Sequence, residues 1–161
     1  MGTLWGMQPA SKVSAPMNDS SVVSCAECSK RNRVPAVTTG TPRCAACHAA
    51  LPWMVEATSD DFAAIVQSPV LVLVDLWAPW CGPCRTIGPL VEQAGKDLAG
   101  RLKVVKVNVD VAPEISQQFG VQGIPTLLLL RGGREVSRQV GALPGHALRA
   151  WIDGELARKS S

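Results

Sequence analysis

The chain has 161 residues, of which 47% are hydrophobic and 18% are charged. This balance predicts a packed core and excludes a disordered chain, a collagen-like chain and a small secreted scaffold held together by disulfides. The net charge of +3 comes from residues 1–52 alone, since residues 53–161 are neutral, and so few cations do not favour a nucleic-acid-binding protein.

The N-terminal segment 1–20 is rich in Ser, Pro, Met and Gly and has no hydrophobic period, so we expect a flexible tail. The sequence is compatible with three start residues, which are Met1, Met7 and Met17. The segment lacks the charged start and apolar stretch of a secretory signal. No apolar run approaches the ~20 residues that cross a bilayer. We therefore expect a cytoplasmic protein that does not bind membranes.

The segment 21–52 is too short to bury a core of its own. It contains two C-x-x-C pairs separated by a 15-residue spacer, and their members are Cys25, Cys28, Cys44 and Cys47. This spacing is typical of a four-cysteine zinc site, because thiolates at i and i+3 reach one metal from a tight turn. The pattern therefore predicts a structural zinc ion, whose binding supplies the folding energy that the segment lacks.

Two other interpretations of these four cysteines are open. In the first interpretation the four cysteines form two disulfides, although a reducing compartment opposes disulfide formation. Covalent haem attachment is the other, because the second pair continues into His48 as C-A-A-C-H. Haem attachment would require export and would leave the first pair without a role. His48 is otherwise expected at the surface.

Residues 53–161 are predicted to form a complete domain. The predicted elements, in chain order, are strand 55–58, helix 59–66, strand 70–74, helix 81–98, strand 102–109, helix 113–119, strand 126–130, strand 135–140 and helix 145–159. The run 70–74 is entirely apolar, as in a central strand that is covered on both faces. Gly132-Gly133 closes the last two strands into a hairpin. Strands alternating with helices and a final hairpin predict an α/β fold with a mixed sheet.

The third cysteine pair, Cys81 and Cys84, lies in the motif W-A-P-W-C-G-P-C-R, between the apolar strand and a predicted helix. Unpaired N–H groups and the helix dipole stabilise an anion at a helix N-terminus, so Cys81 is the thiolate candidate. Gly82 lets another backbone approach closely, and Pro83 suits the first helical turn. The alternative, half of a second zinc site, lacks further ligands. The motif therefore predicts thiol–disulfide exchange.

Two charged residues near this motif are ambiguous from the pattern alone. Asp75 ends the run 70–74, and burial there would raise its pKa towards the value that proton transfer near neutral pH needs. An exposed Asp75 at the strand end is the alternative. Lys106 alternates with Val105 and Val107, a pattern that favours a solvated position.

The sequence resembles the thioredoxin family through V-D-L-W-A-P-W-C-G-P-C-R (74–85), K-V-N-V-D (106–110), G-I-P-T (123–126) and V-G-A (140–142). More narrowly it resembles the bacterial thioredoxin 2 type, which has an N-terminal zinc-binding extension. N-R-V-P (32–35), between the cysteine pairs, is part of that likeness. The resemblance implies a thioredoxin fold, a central mixed β-sheet flanked by helices, that carries a small zinc-ribbon-like module.

The resemblance also implies roles for individual residues. Cys81 would be the nucleophile and Cys84 the resolving cysteine. Asp75 would be a buried carboxylate that exchanges a proton with Cys84 through water, and Lys106 would tune its charge. The peptide bond before Pro125 would be cis, which its position at a strand start does not itself require. The substrate-binding candidates are Trp80, Gly82, Pro83, Ile124, Pro125, Gly141 and Ala142.

The expected protein is a cytoplasmic thiol–disulfide oxidoreductase with a tail over 1–20, a zinc module over 21–52 and a thioredoxin domain over 53–161. It would reduce protein disulfides and be recycled by an NADPH-dependent thioredoxin reductase. We expect a monomer with structural zinc and no organic cofactor. The alternative function is a redox-sensing or partner-docking zinc module with a chaperone or regulatory role, because the module differs in composition from the rest of the chain.

Overall fold

A computed structural model describes residues 20–158. The predicted tail, apart from Ser20, and the candidate start residues lie outside the described part. The elements are β1 (Ser21–Ser24), β2 (Arg31–Val34), β3 (Trp53–Glu56), α1 (Phe62–Ile65), β4 (Leu71–Trp77), α2 (Gly82–Asp97), β5 (Leu102–Asn108), α3 (Pro113–Gln118), β6 (Thr126–Arg131), β7 (Arg134–Val140) and α4 (Gly145–Ala157). Between residues 20 and 158, no helix has the length and apolar character needed to cross a membrane.

Five strands form one sheet in the order β3-β5-β4-β6-β7. β3, β5 and β4 run parallel, whereas β6 is antiparallel to both β4 and β7. The sheet is therefore mixed, which confirms the predicted α/β fold. One face packs against α2 and α4 through residues such as Ile87 and Ile152. The other face packs against α1, α3 and the N-terminal segment.

β4 is the central strand, and it is longer than the apolar run that predicted it. It pairs with β5 and β6 along most of its length and continues to Trp77. Asp75 therefore lies within the strand, so the expectation that it ends the strand was wrong. The hydrogen bonds of a strand do not depend on the polarity of its side chains, and one buried charge does not stop the pairing.

Two predicted boundaries near the start of the domain were wrong. The first strand of the sheet is Trp53–Glu56 rather than 55–58, because Trp53 already pairs with Lys103 of β5. α1 is limited to Phe62–Ile65 rather than 59–66. A turn precedes α1, in which the Thr58 backbone N–H donates to the Asp61 carboxylate at 2.7 Å. Apart from β4, the other predicted elements agree within two residues at each end, and the predicted end of the last helix at residue 159 lies outside the described residues.

The N-terminal segment contains a hairpin that the sequence did not predict. β1 and β2 pair antiparallel, with Ser21 opposite Val34 and Ser24 opposite Arg31. Val34 is buried in the same apolar cluster as residues of β3, β4 and β5. The hairpin therefore shares a core with the main sheet.

A buried lysine joins the N-terminal segment to the sheet. Lys103 of β5 is fully buried, and its Nζ donates to the carbonyl oxygens of Ala36 and Ile65, both at 2.6 Å. The ammonium also lies 4.0 Å from the ring centroid of Trp53, while Trp53 Nε1 donates to the Pro35 carbonyl at 3.0 Å. The buried ammonium therefore has two carbonyl acceptors and an aromatic ring as partners, and a buried charge requires such partners.

Candidate active site and cysteine cluster

The third cysteine pair lies at the N-terminus of α2. Cys81 is the N-cap residue, and its Sγ accepts a hydrogen bond from the backbone N–H of Cys84 at 3.2 Å. The two Cα atoms are 5.3 Å apart and the sulfurs are joined as a disulfide. Gly82 and Pro83 are exposed beside them. The N–H groups of this first turn favour negative charge, so reduction leaves Cys81 as the sulfur whose thiolate is favoured.

Asp75 lies behind the dithiol and is 1% exposed. It lines a cavity of about 260 Å³ together with Cys84, Lys106 and Glu92. Among the described residues, none donates a hydrogen bond to its Oδ1 atom. Burial raises the pKa of Asp75 to about 6, an effect that Lys106 opposes and Glu92 reinforces. A cavity of this volume, lined by charged side chains, has room for water molecules between the carboxyl and Cys84.

Lys106 faces the same cavity. It lies opposite Asp75 in the pairing of β5 with β4, and its side chain is 21% exposed. Its Nζ is 3.3 Å from Glu92 Oε1 and 5.5 Å from the ring centroid of Trp77. The solvated position that alternation favoured was therefore wrong, because α2 covers this face of the sheet.

Glu92 is a cavity residue that the sequence reasoning missed. Cys84, Gly88 and Glu92 follow one another at intervals of four along α2, and all three line the cavity. Residues four apart share a helix face. This spacing was therefore a usable signal, although only the fold shows that Lys106 lies opposite.

An apolar rim surrounds the dithiol. Trp80 is 68% exposed, and its Nε1 donates to the Asp110 carboxylate. Ile124 packs against the two cysteines. It also lines a groove of about 230 Å³ with Trp80 and Val109. The groove is thus joined through Ile124 to the cluster of Ala78, Cys81 and Cys84.

The segment around Pro125 completes this rim. The Ile124–Pro125 bond is cis, as the resemblance implied. Pro125 is buried, and its carbonyl accepts from the backbone N–H of Gly141 at 2.8 Å. Gly141 has a φ of +90°, which favours glycine. Ala142 follows it and is exposed. The structure thus brings the predicted rim residues to the end of the sheet that carries the dithiol.

The other four cysteines form a cluster in the N-terminal segment. Their sulfurs all lie within 4.8 Å of one another. The Sγ atoms of Cys25 and Cys47 are 3.5 Å apart, and so are those of Cys28 and Cys44. Four thiolates around one zinc at 2.3 Å would stand roughly 3.8 Å apart in tetrahedral geometry. The cluster therefore fits a metal ion of this kind.

The two turns that carry the cluster repeat each other. Ser29 donates its backbone N–H to the Cys25 carbonyl and His48 donates to the Cys44 carbonyl, both at 2.9 Å. Ser29 and His48 both have a φ of 63°. His48 is exposed, as expected. The turns aim backbone N–H groups at the sulfurs, and those of Cys47 and Ala46 lower the pKa of Cys44 to about 6.

Asn32 is a second residue whose role the sequence reasoning missed. Its buried amide donates to Cys44 Sγ at 3.5 Å and to the Lys30 carbonyl at 2.8 Å. Its Oδ1 accepts from the backbone N–H of Ala45 at 2.9 Å. Asn32 therefore ties the β1–β2 hairpin to the second cysteine turn. The arginines on either side are exposed whereas Asn32 is buried, a contrast that the sequence alone does not show.

Comparison with known proteins agrees with this geometry. A family model described as Thioredoxin matches residues 41–154. Thioredoxin 1 of Nostoc sp. is 45% identical over 92 residues, which cover 57% of this chain and 86% of that protein. The thioredoxin of Chlorobaculum thiosulfatiphilum is 46% identical over 99 residues, which cover 61% and 92%. The thioredoxin of Haemophilus influenzae is 45% identical over 95 residues, which cover 59% and 89%.

Proposed function

The chain belongs to the thioredoxin family and is a thiol–disulfide oxidoreductase that acts on disulfide-containing proteins, and from this premise we propose that Cys81 and Cys84 are its reacting pair. One observation carries the proposal. The backbone N–H of Cys84 points at Cys81 Sγ at the tip of α2, where it would stabilise a thiolate once the disulfide is reduced.

The proposed reaction has two exchange steps. In the first, the Cys81 thiolate attacks one sulfur of the substrate disulfide. A bond forms between Cys81 and the substrate, the substrate S–S bond breaks, and the departing sulfur takes a proton. In the second, Cys84 loses its proton and attacks Cys81 Sγ. The Cys81–Cys84 disulfide forms, the second substrate sulfur leaves, and two electrons have passed to the substrate.

We propose that Asp75 accepts the Cys84 proton and later returns it to the leaving sulfur. The supporting observations are its burial, the shared cavity and its pKa of about 6. A group with a pKa near the working pH both takes and gives protons readily. Lys106 would adjust this carboxyl electrostatically.

We propose that the rim receives an extended segment of the substrate protein. The contact set is Trp80, Gly82, Pro83, Ile124, Pro125, Gly141 and Ala142. The exposed indole of Trp80 and the groove beside Ile124 support this role. Aromatic and aliphatic anchors beside a reactive centre supply binding energy with little selectivity for sequence.

We propose that the four-cysteine cluster holds structural zinc, as in the thioredoxin 2 type. Cys25, Cys28, Cys44 and Cys47 would be the ligands. A bound ion would cross-link the two turns, and four protein ligands leave no coordination position for a substrate. The inter-sulfur distances support this. Residues 21–52 would then form the zinc module and residues 53–161 the thioredoxin domain.

We further propose that the protein works as a cytoplasmic monomer without an organic cofactor. An NADPH-dependent thioredoxin reductase would restore the dithiol. Family membership supports these points, as does the chemistry of the cluster, since a reducing compartment keeps cysteines available as thiolate ligands.

Reduction of insulin disulfides, coupled to NADPH and thioredoxin reductase, tests the reacting pair. We expect Cys81→Ser to lose at least a thousandfold in rate, because no thiolate remains at the helix tip. Cys84→Ser should retain the first step and accumulate a mixed disulfide that mass spectrometry detects. Thr86→Ser, an exposed change one turn into α2, is the matched control. Parent-like activity in Cys81→Ser would refute the proposal.

A second candidate function is redox sensing by the cluster. Cys28 and Cys47 are exposed, and each lies 3.5 Å from a buried cysteine of the other turn. Hydrogen peroxide would oxidise such a pair to a disulfide, itself becoming two waters, and the metal would be released. Peroxide titration with a zinc-sensitive dye tests this. If the metal stays bound while Cys81 and Cys84 oxidise, sensing is refuted.

A further inference from the structure

Three ionisable side chains form a row on the sheet face beneath α2. Glu56, Lys106 and Asp75 occupy register-paired positions on β3, β5 and β4, and paired positions point to the same face. α2 lies over this face and contributes Glu92 to the cavity. Lys106 is therefore flanked by carboxyl groups from both neighbouring strands and from the helix above.

The Lys106 ammonium is bound by only one of these groups in the described residues. Its Nζ lies 3.3 Å from Glu92 Oε1, whereas Asp75 Oδ1 has no hydrogen-bond partner. The burial of the two carboxyls differs as well, since the Glu92 side chain is 46% exposed and Asp75 is 1% exposed. The cation is thus bound at the mouth of the cavity and not at its base.

A direct ion pair between Lys106 and Asp75 would impair proton transfer. An opposite charge in contact holds a carboxylate in its ionised form and lowers its pKa by about 1–3 units. Such an Asp75 would be a poor acceptor for the Cys84 proton near neutral pH. Something must therefore keep the ammonium from turning inward.

We propose that Glu92 is the positioning residue for this proton transfer: its carboxylate anchors the Lys106 ammonium at the cavity mouth and leaves Asp75 free to exchange a proton with Cys84. The inference rests on the proposed roles of Asp75 and Cys84. The pKa of Asp75 is consistent with this role, because burial raises it, the charge of Lys106 lowers it and the charge of Glu92 raises it.

The remaining charges around Asp75 do not take over this anchoring. Arg85 of α2 also lines the cavity, but its guanidinium donates to the Pro79 carbonyl at 2.7 Å. Glu56 is exposed at the end of β3, on the side of Lys106 away from Asp75. Glu92 is thus the one acidic residue of α2 that reaches Lys106 within the described chain.

The test is the carboxyl titration of Asp75, followed by carbon NMR in the full chain, together with the pH profile of mixed-disulfide resolution. We expect Glu92→Gln to move both to lower pH by about one unit, a tenfold change in the ratio of ionised to protonated carboxyl. Glu92→Asp should restore most of the parent profile. Asp153→Asn removes an exposed carboxylate that pairs with Arg149 on α4 and should move neither curve.

A double-variant cycle separates anchoring from simple loss of negative charge. In the Lys106→Met background no ammonium can turn inward, so Glu92→Gln should then shift the Asp75 titration at most a third as far. An equal shift in both backgrounds, or no shift in the parent background, overturns the proposal. The NMR readout does not depend on turnover, so anchoring can fail while the Cys81 and Cys84 variants still support the proposed reaction.

Discussion

Replacing Asp75 by Asn should stabilise the protein at neutral pH. The native state holds the pKa of Asp75 at about 6, against the ordinary 3.8, chiefly by burial. Between these two values the native state binds more protons than the unfolded state, so the free energy of unfolding falls as pH rises. Above pH 6 the protein carries the full free-energy cost of ionising the buried Asp75 carboxyl. A shift of about two pK units corresponds to about 3 kcal/mol.

Asparagine has the shape of aspartate but carries no charge at any pH. We therefore expect Asp75→Asn to be more stable than the parent by about 3 kcal/mol at pH 7 and by less than about 1 kcal/mol at pH 4, where the native carboxyl is protonated and the pH lies close to the unfolded pKa of 3.8. The gain accompanies a loss of function, because the amide cannot accept the Cys84 proton. Resolution of the mixed disulfide should slow while stability increases.

Urea unfolding of the oxidised proteins at pH 7 and pH 4, followed by tryptophan fluorescence, measures the difference. Equal slopes in denaturant show that the midpoints report stability. Asp60→Asn, at an exposed position before α1, is the control and should change neither midpoint. If the gap between Asp75→Asn and the parent is the same at both pH values, or if the parent is the more stable protein at pH 7, the reasoning is refuted.

Three further variants test other parts of the structure. Lys103→Met should lower the free energy of unfolding by about 2–4 kcal/mol, since it leaves two buried carbonyls unpaired; an unchanged urea midpoint would contradict this. Asn32→Ala should weaken zinc binding about 10–100-fold in chelator competition, because the Cys44 sulfur loses its amide donor, and equal affinity would exclude that contribution. Trp80→Ala should raise the KM for insulin severalfold and leave the reduction of a small aromatic disulfide unchanged; equal losses on both substrates would argue against a docking role.

The fold of the main sheet follows from local patterns in the sequence. The run 70–74 predicts a buried central strand, and Gly132-Gly133 predicts the closing hairpin. The β1–β2 hairpin has no such signal, because each strand has four residues and most are exposed. Its stability comes from Val34 in the shared core and from the cysteine turns. Periodicity cannot assign such a segment, because the residues that bury Val34 belong to β3, β4 and β5, which are distant in sequence.

The candidate site was predictable where the chemistry is carried by neighbouring residues. The spacing of the cysteines is visible in the chain itself, and so is the proline-rich turn before α2. Glu92, Asn32 and Lys103 were missed for a common reason. Each is an ordinary polar residue until another element is packed against it, and neither Lys106, Cys44 nor the Ala36 carbonyl lies close to its partner in sequence.

The contacts of Lys103 and Trp53 with the N-terminal segment limit which parts of this protein can be exchanged with those of its relatives. The ammonium and the indole belong to the sheet, yet their carbonyl partners at Ala36 and Pro35 belong to the cysteine-bearing segment. A chimera that transfers this segment alone would leave those partners behind, and a truncated chain would open the lysine pocket to solvent. The main sheet thus carries the two side chains that hold the cysteine-bearing segment, so we expect neither part to be exchanged without the other.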